Sequence, residues 1–377
     1  MKKITIILIF IMLISKSNLI KATDQTIDEN MRNQIEELNI ESVINDAEKK
    51  TDENIDLNQV FDEAIKGTTP QNIILKGIGK ILGKQLKESL KMLISVLIII
   101  LIYGILKSIS ENLGNDQTGK IGHFIQIIML ITVLMKIYTE ILKSVKETLE
   151  MISSFIYSLF PLFISLSIST GNITSSTGIQ TIILVSTNLI TAFINQIVIP
   201  IIIIATVIGI ISNISDEVQM NKLSKYMKSI TIWILCIFLT IFTCVLSMET
   251  TLGKGVDQMA TKTTKTAVST FVPVVGKILG DTVESVLSCT NVIKNAVGTL
   301  GMIGVIFITA VPLIRIGLTT IFLYLISGLA EVVADKKIVY VIEQMGDSCK
   351  VLLASMATVV MMLIIGFTIT MRIGMTS

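Results

Sequence analysis

From residue 92 to residue 371 the chain is a succession of long apolar runs separated by short polar connections. About 20 apolar residues cross a hydrocarbon core of about 30 Å as a helix, so the pattern predicts a polytopic membrane protein. Residues 92–106 form the first run of this domain, short but flanked by Lys91 and Lys107, whose stems can reach the interface. Residues 124–142 and 151–167 follow, the second enclosing Pro161. Residues 151–215 carry no charge over 65 positions, which leaves room for three crossings. Within them residues 179–211 would measure about 50 Å as one helix, so a break is expected near Asn195 and Gln196 or at Pro200. Residues 230–248 are a clean 19-residue span holding the sole tryptophan, Trp233. Residues 300–330 contain one charge, Arg315, close to Pro312, and predict two segments meeting there; residues 351–371 are the last span. The expected fold is all-α and polytopic, with seven to nine membrane segments that include re-entrant or broken helices.

The N-terminal quarter has a different character. Residues 1–22 combine a basic start, an apolar run from Ile4 to Ile14 and a cleavage position at Ala22, the layout of a signal peptide or, uncleaved, of an anchor. Residues 23–70 carry thirteen acids against four bases and read as an exported segment of two short amphipathic helices. Met31, Ile35 and Leu38 make one apolar stripe, and Leu57, Val60, Phe61, Ala64 and Ile65 the other. Neither helix is long enough to be stable alone, so both should dock, on a partner or on the membrane domain. Residues 71–91 place Ile74, Ile78, Leu82 and Leu86 opposite Lys76, Lys80, Lys84, Lys87 and Lys91, the pattern of a basic interfacial helix or of a packed helix with a solvated face.

One interlude, residues 249–299 and on to Gly304, is too polar to span and too apolar for a free loop. Pro273 suits a first helical turn, Gly276 and Gly280 share a face that another helix can approach closely, and Asp281 and Glu284 lie on one side of a turn. Lys294 and Asn295 lead into a ladder of Gly298, Gly301 and Gly304. The stretch is a candidate re-entrant or pore-facing element; the alternative is an amphipathic surface hairpin that only packs. With Arg315, these residues are the candidate packing or pore element.

Composition narrows the chemistry. With 16% charged residues against about 25% in soluble domains, and a mean hydropathy of +0.76, the 377 residues belong in a membrane. A single histidine, His123, four scattered cysteines and no CxxC argue against a zinc site or a disulfide framework. Gly114 to Lys120 imitates a phosphate loop, but Ile121 stands where Ser or Thr must hold magnesium, and no strand precedes it. No catalytic triad can be built around one histidine. The reading is of a non-enzyme with no cofactor, no metal and no nucleic-acid partner, in contact with membrane lipid.

The chain resembles the stage III sporulation protein AE family. The resemblance rests on the signal-like start, Asp56-Leu57 and Phe61, Thr263-Thr264-Lys265 running into residues 271–276 (FVPVVG), then Asp281, Glu284, Cys289 and residues 294–298 (KNAVG). It implies a multi-pass protein in the mother-cell membrane surrounding the forespore, a subunit of a channel or secretion-like apparatus needed for forespore development. It implies partners from the same operon, including a separate ATPase and ring-forming subunits, and no catalytic residues. The alternative is a self-sufficient secondary transporter of a small solute, built on the broken segments at residues 179–211 and 300–330.

Overall fold

The computed structural model describes residues 56–66, 71–112, 116–170, 173–214, 220–271 and 276–372, together with Ile35, Ile40, Ile44 and Glu48; over residues 109–112, 116–123, 260–271 and 276–287 it describes the backbone alone. The signal segment, residues 1–22, and Pro273 lie outside the described residues.

Every regular element among the described residues is helical. In chain order they are α1 (Leu57–Ile65), α2 (Gln71–Asn112), α3 (Asp116–Ser169), α4 (Ile173–Phe193), a π turn (Ile194–Val198), α5 (Ile199–Ile214), α6 (Asn221–Phe271), α7 (Gly276–Ala330) and α8 (Lys336–Arg372). Among the described residues six stretches are long and apolar enough to cross a membrane: Ile73–Ile105, Phe124–Ser169, Thr174–Ile214, Asn221–Asp257, Ser288–Ala330 and Lys336–Arg372.

The sequence pattern counts seven to nine segments because it divides runs that the structure keeps whole. Residues 71–91 are not a separate interfacial helix but the first half of α2, continuous with the span. The runs 124–142 and 151–167 are one helix, α3, which passes through Pro161. Residues 179–211 do not break. The amide of Ile199 donates to the carbonyl of Ile194, five residues back, and Pro200 follows at once. Proline has no N–H and its ring crowds the carbonyl four residues earlier; widening one turn to a π turn accommodates both without ending the helix. Residues 300–330 likewise run through Pro312 within α7. The polar interlude is helical over its described residues. It supplies the end of α6, as far as Phe271, and the start of α7, from Gly276.

The antiparallel pair α7 and α8 forms the centre. Of the most apolar window of the α7 span 67% is buried, against 22% for those of α2 and α6, which therefore lie at the periphery. α7 packs on α8, α2, α3 and α1; α8 reaches α5, α6, α4 and α3. Small residues set the closeness of these crossings. A Cβ on Gly304 would come 2.4 Å from the Phe155 ring, one on Gly301 2.7 Å from the Phe367 ring, and one on Gly298 2.3 Å from the Met371 side chain. The three glycines of the ladder are thus the seats for side chains of α3 and α8.

Helix α1, the described end of the acidic segment, docks on this centre. Asp56 accepts the Gln59 amide at 3.0 Å and Glu48 the Leu57 amide at 2.7 Å, so carboxylates satisfy the free amides that open α1. Leu57, Val60, Phe61 and Ala64 are all buried, and Val60 joins Ile81 of α2 with Ile303, Phe307 and Ala310 of α7 in a small second core. The expected docking is therefore intramolecular.

Candidate functional site

Buried polar groups from residues 249–304 gather where α6 and α7 each reach the start of α4. A helix opens with amides that have no partner within it. At α4 those of Thr174 and Ser175 donate to the two carboxylate oxygens of Asp257, at 3.1 and 2.9 Å, and the Ser175 hydroxyl donates to the same carboxylate. Asp257 stands on α6, so the cap comes from another helix, and its negative charge sits at the positive end of the α4 dipole. It is 6% exposed.

Lys294 completes the cluster from α7. Its ammonium, on a side chain 1% exposed, donates to the Ser176 hydroxyl at 3.1 Å, and the Asp257 charge acts on it. A buried ammonium is costly unless an opposite charge and hydrogen bonds compensate it; here α4 supplies the hydroxyl and α6 the carboxylate. Two glycines bring the helices together. A Cβ on Gly253 of α6 would fall 2.7 Å from the Cα of Ser175, and one on Gly178 of α4 1.9 Å from the Glu249 carboxylate. The whole is a three-helix clamp of Asp257, Ser175, Ser176 and Lys294 at the base of the polar interlude. Among the described residues no cluster of His, Cys, Asp and Glu has the make-up of a metal site.

The other nominated residues do not share one place. Asn295, next to Lys294, is half-buried and its carbonyl accepts the Thr299 hydroxyl at 2.9 Å. Arg315 stands 21 residues further along α7 and pairs with Glu140 of α3 at 2.8 Å; it does not mark a helix end. Gly276, Gly280, Asp281 and Glu284 lie on the first turns of α7, and only their backbone is described.

The model of the family described as stage III sporulation protein AE matches residues 55–374. The chain belongs to that family. A relative, stage III sporulation protein AE of Bacillus subtilis (strain 168), is 26% identical over 271 residues, which is 72% of this chain and 68% of that protein. No solved structure matches the chain. The family match begins one residue before the Asp56 cap and takes in all of α1–α8, so the docked acidic helix is part of the shared unit.

This member of the stage III sporulation protein AE family also has a second buried polar junction, which nothing in the hydropathy pattern singles out. Gln344 of α8 donates through Nε2 to the Ala205 carbonyl of α5 at 3.2 Å and to the Ser224 hydroxyl of α6. Ser224 itself donates to the Ala205 carbonyl at 2.6 Å, and Lys228 donates to the Gln344 carbonyl at 2.9 Å. Thr206 and Ser348 hydroxyls lie 2.6 Å apart. Ser175, Ser176 and Asp257 are equally silent in the sequence.

Proposed function

We propose that the chain is an integral membrane subunit of a sporulation channel or secretion-like complex that links mother cell and forespore and supports forespore development. The observation that carries this reading is the family match over residues 55–374, which joins a sporulation family to a chain whose described residues include six helices able to cross a membrane. In this reading the protein resides in the mother-cell membrane around the forespore, works without catalysis of its own, and assembles with other stage III sporulation proteins, among them a separate ATPase and ring-forming subunits. Pro273, Gly276, Gly280, Asp281, Glu284, Lys294, Asn295 and Arg315 serve assembly or the conducting path, with Lys294 fixing α7 to α4.

The test is purification of a tagged copy from sporulating cells in mild detergent, with and without crosslinking, and identification of what accompanies it. An ATPase and ring proteins recovered in fixed ratio support the subunit. Recovery of the chain alone even after crosslinking would overturn that reading in favour of a self-sufficient transporter, to be pursued by solute uptake in liposomes.

A further inference from the structure

Residues 230–248 of α6 hold no charged residue, and as a helix they measure about 28 Å, close to the thickness of a hydrocarbon core. Their outward side chains, Ile230, Trp233, Ile237, Ile241, Val245 and Met248, are all exposed, as lipid-facing residues are. This stretch fixes the level of the bilayer on one side of the bundle.

Close contacts carry that level across the molecule. α6 is tied to α4 by Glu249 against Gly178 and by the stacked rings of Phe238 and Phe193, 5.9 Å apart. Ile183 of α4 abuts Gly366 of α8, and the adjoining Phe367 meets Gly301 of α7, which also touches Leu159 of α3. Both α3 and α6 run antiparallel to α7, so at about 1.5 Å per residue the first half of the charge-free span, from residue 230, lies level with about residues 143–152 of α3. On the α3 face at that level Lys143, Lys146, Glu147 and Glu150 are exposed. Ile81 of α2 and Val60 of α1 meet α7 at Ile303, Phe307 and Ala310, still inside the same slab. There Asp62 of α1 and Lys80, Lys84 and Lys87 of α2 are exposed as well.

At one depth the bundle is therefore uncharged on its α6 side, while its α1–α2–α3 side carries both signs of charge, on α2 between the exposed Leu82, Leu86 and Leu90. Exposed charges at bilayer depth do not face lipid; they face the protein interior or a water-filled cavity. We propose that the α1–α2–α3 side lines an aqueous passage at bilayer depth while α4 and α6 face lipid. The proposal rests on the subunit reading, since one bundle leaves this face open and needs neighbours in the complex to complete the wall. A wall of mixed charge suits hydrated polar solutes rather than apolar ones.

Two native cysteines make the test direct. Cys236 and Cys244 are exposed on α6 within the charge-free span, while Cys289 and Cys349 are buried. Open membrane fragments from sporulating cells, with the complex intact, would be treated with a charged, membrane-impermeant methanethiosulfonate and, separately, with a lipid-soluble maleimide. Lys87→Cys, Lys146→Cys and Glu150→Cys, each in a Cys236→Ala/Cys244→Ala background, should react with the charged reagent more than about tenfold faster than Cys236 and Cys244 do in the unsubstituted chain, because lipid excludes the charged reagent. Cys236 and Cys244 should prefer the maleimide. Equal rates at the two sets, or protection of positions 87, 146 and 150 from the charged reagent, would overturn the proposal. Labelling reports depth whatever co-purifies, so the expected pattern with no recovered partners would count against the subunit reading alone.

Discussion

The ammonium of Lys294 lies 3.1 Å from the hydroxyl of Ser176, a residue 118 positions earlier in the chain. That contact, with Asp257 capping the same helix, fastens both α6 and α7 to the first turn of α4. Three helices joined by buried polar groups are sensitive to single changes there.

Asp257→Ala removes the cap of α4 and takes away a negative charge that acts on the buried Lys294 ammonium. A lost cap alone costs about 0.5–2 kcal/mol, and the lost attraction on a buried charge adds to it. Asp257→Asn keeps an oxygen for the Thr174 and Ser175 amides and should cost less. Asp257→Asn with Lys294→Met should cost less than the sum of the two single changes, because the cycle removes a coupled pair. Thermal unfolding of the purified protein in one detergent measures all four; strictly additive costs would mean that the two charges are not coupled.

Gly304→Ala places a methyl group 2.4 Å from the Phe155 ring, which is overpacking, with an expected cost of about 1–3 kcal/mol. Gly317→Ala on the same helix meets nothing within 4 Å and should instead stabilise by roughly 0.5–1 kcal/mol, since alanine favours a helix over glycine. Unfolding midpoints of the two variants should move in opposite directions from the parent.

Gly209→Ala drives a Cβ to 1.8 Å from the Gln344 amide, so it must displace the side chain that ties α8 to α5 and α6. Interhelical hydrogen bonds in membranes are worth about 0.6 kcal/mol on average, and the clash adds to their loss. Gly209→Ala/Gln344→Ala should therefore be more stable than Gly209→Ala alone. A double variant less stable than either single change would show that the strain lies elsewhere.

Arg315 and Glu140 form a pair whose side chains are 32% and 50% exposed. If the α3 face is wet, Arg315→Gln should cost no more than about 1 kcal/mol, as for other solvent-exposed pairs. A several-fold larger loss, relieved by Glu140→Gln in the same chain, would indicate a pair held in a low-dielectric setting. The Leu double variant at Gly276 and Gly280 is expected to insert in the membrane but fail to assemble, and unchanged sporulation in that strain would remove the packing role assigned to those glycines.

The class of protein was legible in the runs of apolar residues, because lipid imposes one requirement, backbone hydrogen bonds satisfied within each segment, that composition alone reveals. The number of segments was not. Pro161, Pro200 and Pro312 look like breaks locally, yet each helix continues, by a π turn at Ile194–Val198 in the case of Pro200. A proline's effect depends on whether neighbouring helices reward continuity, and that is a tertiary quantity.

The candidate site divides in the same way. Residues 249–304 differ visibly from the spans around them along the chain, Lys294 stands out at the head of a glycine ladder, and glycines recur at helix-packing intervals. That Lys294 meets Ser176, that Asp257 caps a helix 82 to 83 residues away, and that Gln344 joins three helices became visible with the packing of the bundle. Hydropathy follows from each side chain's own transfer between water and lipid, so it can be read residue by residue. Hydrogen bonds and charge pairs belong to two residues at once, and which two meet depends on the packing of the whole bundle.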